Sequence, residues 1–155
     1  MSQLTHIDSA GNARMVDVTA KNPTVREARA EAFVACSPRI LAALTNDDVP
    51  KGDALAVARI AGIAAAKRTP ELLPLAHPIA VHYCSVDLEI TEAGVRISSH
   101  VKTADRTGIE MEALTAVSVA ALALVDMVKG VDRNVSIDSA RITYKAGGRS
   151  GVWRA

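Results

Sequence analysis

At 155 residues the chain is long enough for one domain with a real core, and residues 1–155 read as a single unit. Apolar residues make up 49% of it but aromatics only 3%, so the core must be built from Ala, Val, Leu and Ile; small side chains allow close helix packing, and the unusually apolar helices suggest further burial between subunits. With 18 basic and 17 acidic residues the net charge is +1, and no Lys/Arg run stands out, which disfavours nucleic acid or a membrane surface as partner.

The N-terminus, MSQLTHIDSAGNARMVDV, lacks the basic start and apolar run of a signal peptide, and no apolar stretch of membrane-spanning length is free of charges; a soluble, cytoplasmic protein is expected. Residues 1–13 are polar and read as mobile, and Met15 to Val18 is a short strand candidate. From Thr24 to Ala35, Ala28, Ala30, Ala32 and Val34 alternate with Glu27, Arg29, Glu31 and Phe33. This period of two argues for a strand against the helix preference of alanine and glutamate. Ser37-Pro38 is a helix start leading into Arg39 to Leu44, followed by a loop from Asn46 to Gly52. Asp53 to Thr69 is a second helix with an aspartate cap, in which Gly62 and the alanines let another backbone come close. Glu71 to Pro78 reads as a proline-constrained connector that holds His77. Residues 79–103 form a hairpin turning at Glu92-Ala93-Gly94. Thr107 to Gly130 is a long helix, Ser136 to Lys145 a last strand, and 147–155 a Gly-rich, mobile tail. Strand, helix, strand, strand, helix, strand is the order of an α+β ferredoxin-like sandwich, an antiparallel sheet with helices on one face and the other free to meet a partner.

The Thr107 helix carries the most informative charges. Between Ala113 and Val125 its only polar residues are Thr115 and Ser118, yet Glu110 and Glu112 stand at its start and Asp126 and Lys129 near its end. Charges on so apolar an element are either paired or functional. Asp126 and Lys129, three apart, share a face; spacing alone favours an ordinary solvated ion pair, and the sharper alternative is a carboxylate acid/base beside an ammonium. Glu112 and Asp126 lie nearly four turns apart, about 21 Å along the axis. Either the two ends serve different purposes, or a site is assembled from opposite ends of helices in two subunits of a dimer.

Among other basic residues, Arg26, Lys51, Lys67, Arg68, Lys102, Arg106 and Arg149, Lys51 stands out because it precedes Gly52 and a helix start, where backbone N–H groups favour anions. The Gly147-Gly148-Arg149-Ser150-Gly151 run looks like part of a phosphate cradle but lacks Walker A spacing. His77 and His82 have no metal-motif spacing, and no metal is expected. Cys36 and Cys84 form no Cys-x-x-Cys pair and sit in no basic setting, so thiolate metal binding and cysteine nucleophilic catalysis are not indicated.

MVDV at 15–18, KGD at 51–53, ARIAGIAAAKRT at 58–69, LLPLAHP at 72–78, TGIEMEALTAVSVAALALVDM at 107–127 and GGRSG at 147–151 closely resemble the cyclic pyranopterin monophosphate synthase family of molybdenum-cofactor biosynthesis, over nearly the whole chain. The resemblance implies a ferredoxin-like subunit in a hexamer built as a trimer of dimers, with sites at the dimer interface. It implies a lyase that rearranges 3',8-cyclo-7,8-dihydroguanosine 5'-triphosphate into cyclic pyranopterin monophosphate with release of pyrophosphate and no cofactor. Asp126 then matches the family's catalytic aspartate, with Lys129 and Lys51 as site lysines. Leu75, Ala76 and His77 match a substrate-binding segment, as do Met111 and Glu112, with Glu110, Arg26 and Lys67 as further candidates. Two positions depart from the family's pattern: Ala76 replaces a cysteine, and Arg149 a lysine. A non-catalytic nucleotide- or pterin-binding oligomer is the competing class.

Overall fold

The computed structural model describes residues 4–155. Its elements run β1 (Thr24–Cys36), α1 (Pro38–Thr45), α2 (Ala54–Ala66), α3 (Thr69–Leu72), β2 (Tyr83–Ile90), β3 (Gly94–Asp105), α4 (Glu110–Val128), β4 (Val135–Ala146) and β5 (Trp153–Arg154). The strands form one sheet in the order β2-β3-β1-β4-β5, each neighbouring pair antiparallel. Leaving aside the two-residue β5 and the one-turn α3, this is the expected ferredoxin-like α+β arrangement.

Period two prevails in β1. Ala28, Ala30, Ala32 and Val34 are buried while Val25 and Arg29 on the alternate face are exposed. Alanine's helix preference is a fraction of a kilocalorie per residue, and continuous pairing with β3 and β4 plus burial of one face outweighs it. The small alanines also let α4 lie close to the sheet, where Ala113, Ala116, Val117, Ala120, Ala121 and Leu124 complete the core. Across α4 runs α2, and Gly62 sits where an added Cβ would stand 2.7 Å from the Ala116 carbonyl oxygen. That close approach is the one the sequence anticipates.

Both helix starts are built as expected. Ile40 N–H donates to Ser37 Oγ at 3.3 Å, and Ala56 N–H to Asp53 Oδ1 at 3.0 Å. Other elements differ from the expectation. α2 stops at Ala66, and the chain begins a new turn at Thr69, whose hydroxyl donates to the Ala66 carbonyl, because Pro70 fits a first helical turn but cannot continue an existing one. Met15 to Val18 is no strand. A segment this short finds no ladder, and its Val16 carbonyl accepts a hydrogen bond from the His77 side chain instead. At the other end, Trp153 and Arg154 pair with Lys145 and Tyr144, an edge strand that the Gly-rich composition concealed. Gly147, Gly148 and Gly151 make the return possible with φ of +93°, +75° and +63°, angles that other residues rarely adopt.

Two surfaces remain unfilled by the subunit's own packing. On α4, Met111 and Leu122 are eleven residues apart, three turns and within about 20° of one another. Leu122 is 61% exposed, and Val57 and Ile60 of α2 are exposed as well. α4 is long and apolar enough to cross a bilayer by length and composition, but its inner faces are spent on the sheet and α2. The sheet face opposite the helices is polar: His100 Nε2 donates to Glu27 Oε2 at 2.7 Å, and Tyr144 Oη to Glu27 Oε1 at 3.3 Å. The hydrogen bond from His100 holds the Glu27 carboxyl below its usual range.

Candidate active site

The C-terminal end of α4 gathers three of the charged groups singled out by the sequence. Lys129 Nζ donates to Asp126 Oδ1 within the helix, and Lys51 Nζ reaches Asp126 Oδ2 at 3.1 Å from 75 residues away. Lys51 is placed by its own corner: Gly52 takes φ +110°, and Asp53 then caps α2. The Asp126 side chain is 56% exposed. Its carboxyl is held below the usual carboxylate range, first by the hydrogen bond from Lys129 and then by that from Lys51. It is therefore a charged, accessible base with an ammonium on each oxygen, an arrangement more specific than the solvated i,i+3 pair that spacing alone suggests. An open cleft of about 500 Å³ beside it is lined by Lys51, Lys129, Arg39, Arg133 and Asp132. Arg39 and Arg133 escaped the sequence reading because Arg39 reads only as the first turn of an apolar helix and Arg133 stands in a short polar loop, neither with a motif around it.

The N-terminal end of α4 has the opposite character. Glu112 is only 3% exposed, and burial pushes its carboxyl up to about 7, the charge of Glu110 adding to the rise and its own backbone amide opposing it. Met111 beside it faces outward and is exposed, and the Glu110 carboxylate lies close over Gly108. α4 is an unbroken 19-residue helix, so the spacing expected between its two charged ends holds.

Leu75, Ala76 and His77 lie in the connector after α3, Leu75 exposed and the other two half-buried. His77 Nε2 donates to the Val16 carbonyl at 2.5 Å, which fixes the imidazole against the N-terminal arm. His77, Arg106 and residues 15–19 line an open cleft of about 520 Å³. His82 belongs to another network, its Nδ1 accepting from the Ala104 amide at 3.2 Å.

The two remaining basic candidates differ sharply. Lys67 is exposed at the end of α2. Arg26 is 8% exposed: its Nε donates to the Asp105 carbonyl at 3.1 Å and one terminal nitrogen to the Arg106 carbonyl at 3.4 Å, while its other terminal nitrogen lies against Gly148. Among the described residues no carboxylate pairs with it. In the glycine turn, Lys145 Nζ bonds Ser150 Oγ.

Lys51, Asp126 and Lys129 thus converge within one subunit, whereas Glu110, Met111 and Glu112 stand at the far end of the same helix. A family model described as the MoaC family matches residues 15–148. Relatives named cyclic pyranopterin monophosphate synthase include one from Streptomyces avermitilis, 58% identical over 97% of this chain and 89% of its own length. Others with that name are from Roseiflexus sp., 54% identical over 97% of each chain, and Corynebacterium efficiens, 53% identical over 99% of each. A family match over most of the chain, and relatives this similar from end to end, show that the chain belongs to the MoaC family.

Proposed function

We propose that this chain is a cyclic pyranopterin monophosphate synthase, a lyase of molybdenum-cofactor biosynthesis acting on 3',8-cyclo-7,8-dihydroguanosine 5'-triphosphate. The observation that carries this reading is the Lys51–Asp126–Lys129 cluster, within a chain more than half identical to relatives of that name. Opening the purine ring and reclosing it as a pterin requires repeated proton transfers, while a sugar hydroxyl displaces pyrophosphate at the α-phosphorus. The electrons rearrange within one molecule, so no redox cofactor is called for.

Asp126, ionised and accessible, accepts and returns protons at the reacting ring. Lys51 and Lys129 stabilise negative charge as it develops there. Glu112, whose pKa lies near neutrality, is suited to supply a proton or to receive guanine-type N–H donors, with Met111 and Glu110 beside it. Leu75, Ala76 and His77 bind substrate from the connector. Lys67 reaches the triphosphate directly, while Arg26, enclosed among carbonyls, is better fitted to hold the turn that it touches.

The two ends of α4 meet in one site when two subunits pack their exposed Met111–Leu122 stripes antiparallel across a two-fold axis. The start of one helix then approaches the end of its mate. The polar sheet face offers the second kind of contact that a trimer of dimers requires. A cytoplasmic location agrees with a substrate made from GTP.

The test is to supply the cyclised dihydroguanosine triphosphate and measure fluorescent pterin after oxidation, together with pyrophosphate. Both should appear in equal amounts. Pyrophosphate without pterin would replace this reading with simple hydrolysis, and substrate bound but unchanged would replace it with a binding module.

A further inference from the structure

The cleft beside Asp126 carries more positive charge than the chemistry at Asp126 uses. Arg39, Lys51, Lys129 and Arg133 line it, with Asp132 as its one lining carboxylate. Lys51 and Lys129 are engaged on Asp126, one on each oxygen. Arg39 and Arg133 are exposed, and among the described residues neither enters an ion pair. The guanidinium groups of Arg26, Arg59 and Arg106 are held by main-chain carbonyls, and those of Arg39 and Arg133 have no such anchor among the described residues. Asp132 is engaged first by the Asn134 amide, at 3.0 Å, and then by the Ser37 hydroxyl, and Arg39 acts on it only through space. Asp48 lines the neighbouring cleft with Arg39 but forms no ion pair with it. Arg39 also stands in the first turn of α1, where the helix dipole favours an acid over a cation. Local stability therefore gives no reason for that charge. The whole chain has a net charge of only +1, so the excess at this cleft is a local field and no by-product of a basic protein.

We propose that Arg39 and Arg133 are substrate-capture residues, two unpaired cations at the mouth of the Lys51–Asp126–Lys129 site whose field steers the polyanionic substrate in without a fixed contact in the reacting complex. This rests on the reading of that cluster as the active site of a synthase. The need arises from the base itself. An ionised Asp126, 56% exposed, repels an incoming polyanion. Its two ammonium partners offset that charge at short range, where the chemistry uses them. Arg39 and Arg133 line the same cleft without bonding to Asp126, and a guanidinium stays charged at any working pH. A guanidinium with no anchoring hydrogen bond samples many rotamers, and fixing it on a ligand costs rotamer entropy that a held arginine has already lost. Such a group acts through its charge over a distance on the order of the Debye length, about 10 Å at 0.1 M salt, and not through a bidentate fork.

The test separates association from chemistry. Asp126→Asn protein, which should bind the cyclised dihydroguanosine triphosphate without turning it over, gives kon and koff by stopped flow. Adding Arg39→Gln and Arg133→Gln together should lower kon about 3- to 30-fold at roughly 20 mM ionic strength and change koff less than about twofold. Near 0.5 M sodium chloride the difference in kon should shrink to within about twofold, because the field is then screened. With Asp126 intact, the same two changes should lower kcat/KM by a similar factor at low salt and leave kcat as it is. Arg39→Lys with Arg133→Lys should keep the wild-type rates, since charge and not fork geometry is what acts. Both residues are exposed, so the thermal midpoint should stay near wild type in every variant.

An unchanged kon in the double glutamine variant at low salt would overturn the capture role. A rise in koff in place of a fall in kon, or a loss in the lysine pair as large as in the glutamine pair, would overturn it in favour of a direct contact. The rates are read without turnover, so the two readings fail separately. A wild-type protein that makes no pterin, while kon still depends on Arg39 and Arg133, would retire the synthase and keep the capture residues. Full pterin formation with a kon indifferent to both charges would do the reverse, and a wild-type protein that does not bind the substrate would retire both.

Discussion

The two ends of α4 are one helix in two electrostatic environments. At its C-terminal end Asp126 stands in solvent between two ammonium groups that hold its proton affinity down. At its N-terminal end Glu112 is enclosed, and burial raises its carboxyl to about 7. The residues are the same chemical type, and what separates them is hydration and partners. A pair of carboxyl groups pushed apart in this way suits the proposed division of acid from base work at neutral pH. The difference needs no unusual backbone: Asp126 stands on the solvent side of a helix end whose Met127 and Val128 are buried, whereas Glu112 is buried with its neighbour Ala113.

The strongest way to break this comparison is to remove the base. Asp126→Asn should lower pterin formation about 10²- to 10⁴-fold while substrate still binds, measured by single-turnover fluorescence and by calorimetry. A variant that turns over near the wild-type rate would move the base elsewhere. Lys51→Ala should lower kcat about 10²- to 10³-fold, as expected for loss of a group that stabilises developing charge. Its circular dichroism should be unchanged because Lys51 is exposed.

The two ends can also be separated physically. Leu122→Glu places a charge on the exposed stripe and should dissociate the proposed dimer in sedimentation experiments. Turnover should fall about tenfold or more at submicromolar protein and recover as concentration rises. A monomer with full activity would show that the two ends never share a site.

The smallest effect is the most diagnostic of Glu112. Its pKa is higher in the folded chain than the ordinary 4.5, so the native state binds the proton more tightly than the unfolded state does. The stability this provides is fully present below pH 4.5 and is lost as pH rises towards about 7. Glu112→Gln, fixed in the neutral form, should escape that loss and gain on wild type by up to roughly 3 kcal/mol across the window. Denaturant unfolding at a series of pH values reads the difference, and parallel curves would mean that Glu112 is not held in a desolvated site.

Much of this molecule follows from local pattern. The period of two in β1, the capped starts of α1 and α2, the hairpin after residue 79 and the long apolar α4 are properties of consecutive residues, and so is the shared face of Asp126 and Lys129. Where local signals are short they fail. Met15–Val18 lacks the length to hold a ladder, and β5 consists of two residues behind three glycines. The family resemblance points to Lys51 as a site residue, but no spacing rule brings it to Asp126. That contact depends on α2 crossing α4 at Gly62 and on the turn at Gly52.

Sequence by itself determined which elements form and which side chains carry charge, because hydrophobic period, caps and propensities act within a few residues. Only the tertiary structure decided what each charge experiences. Glu112 and Asp126 read alike as acids on one apolar helix, and Arg26 and Lys67 as two basic candidates for one triphosphate. Packing buried Glu112 and Arg26 and left Asp126 and Lys67 in solvent. Desolvation and partner distance arise where separate elements meet, so their effect on proton affinity is set by three-dimensional contact and by no stretch of the chain alone.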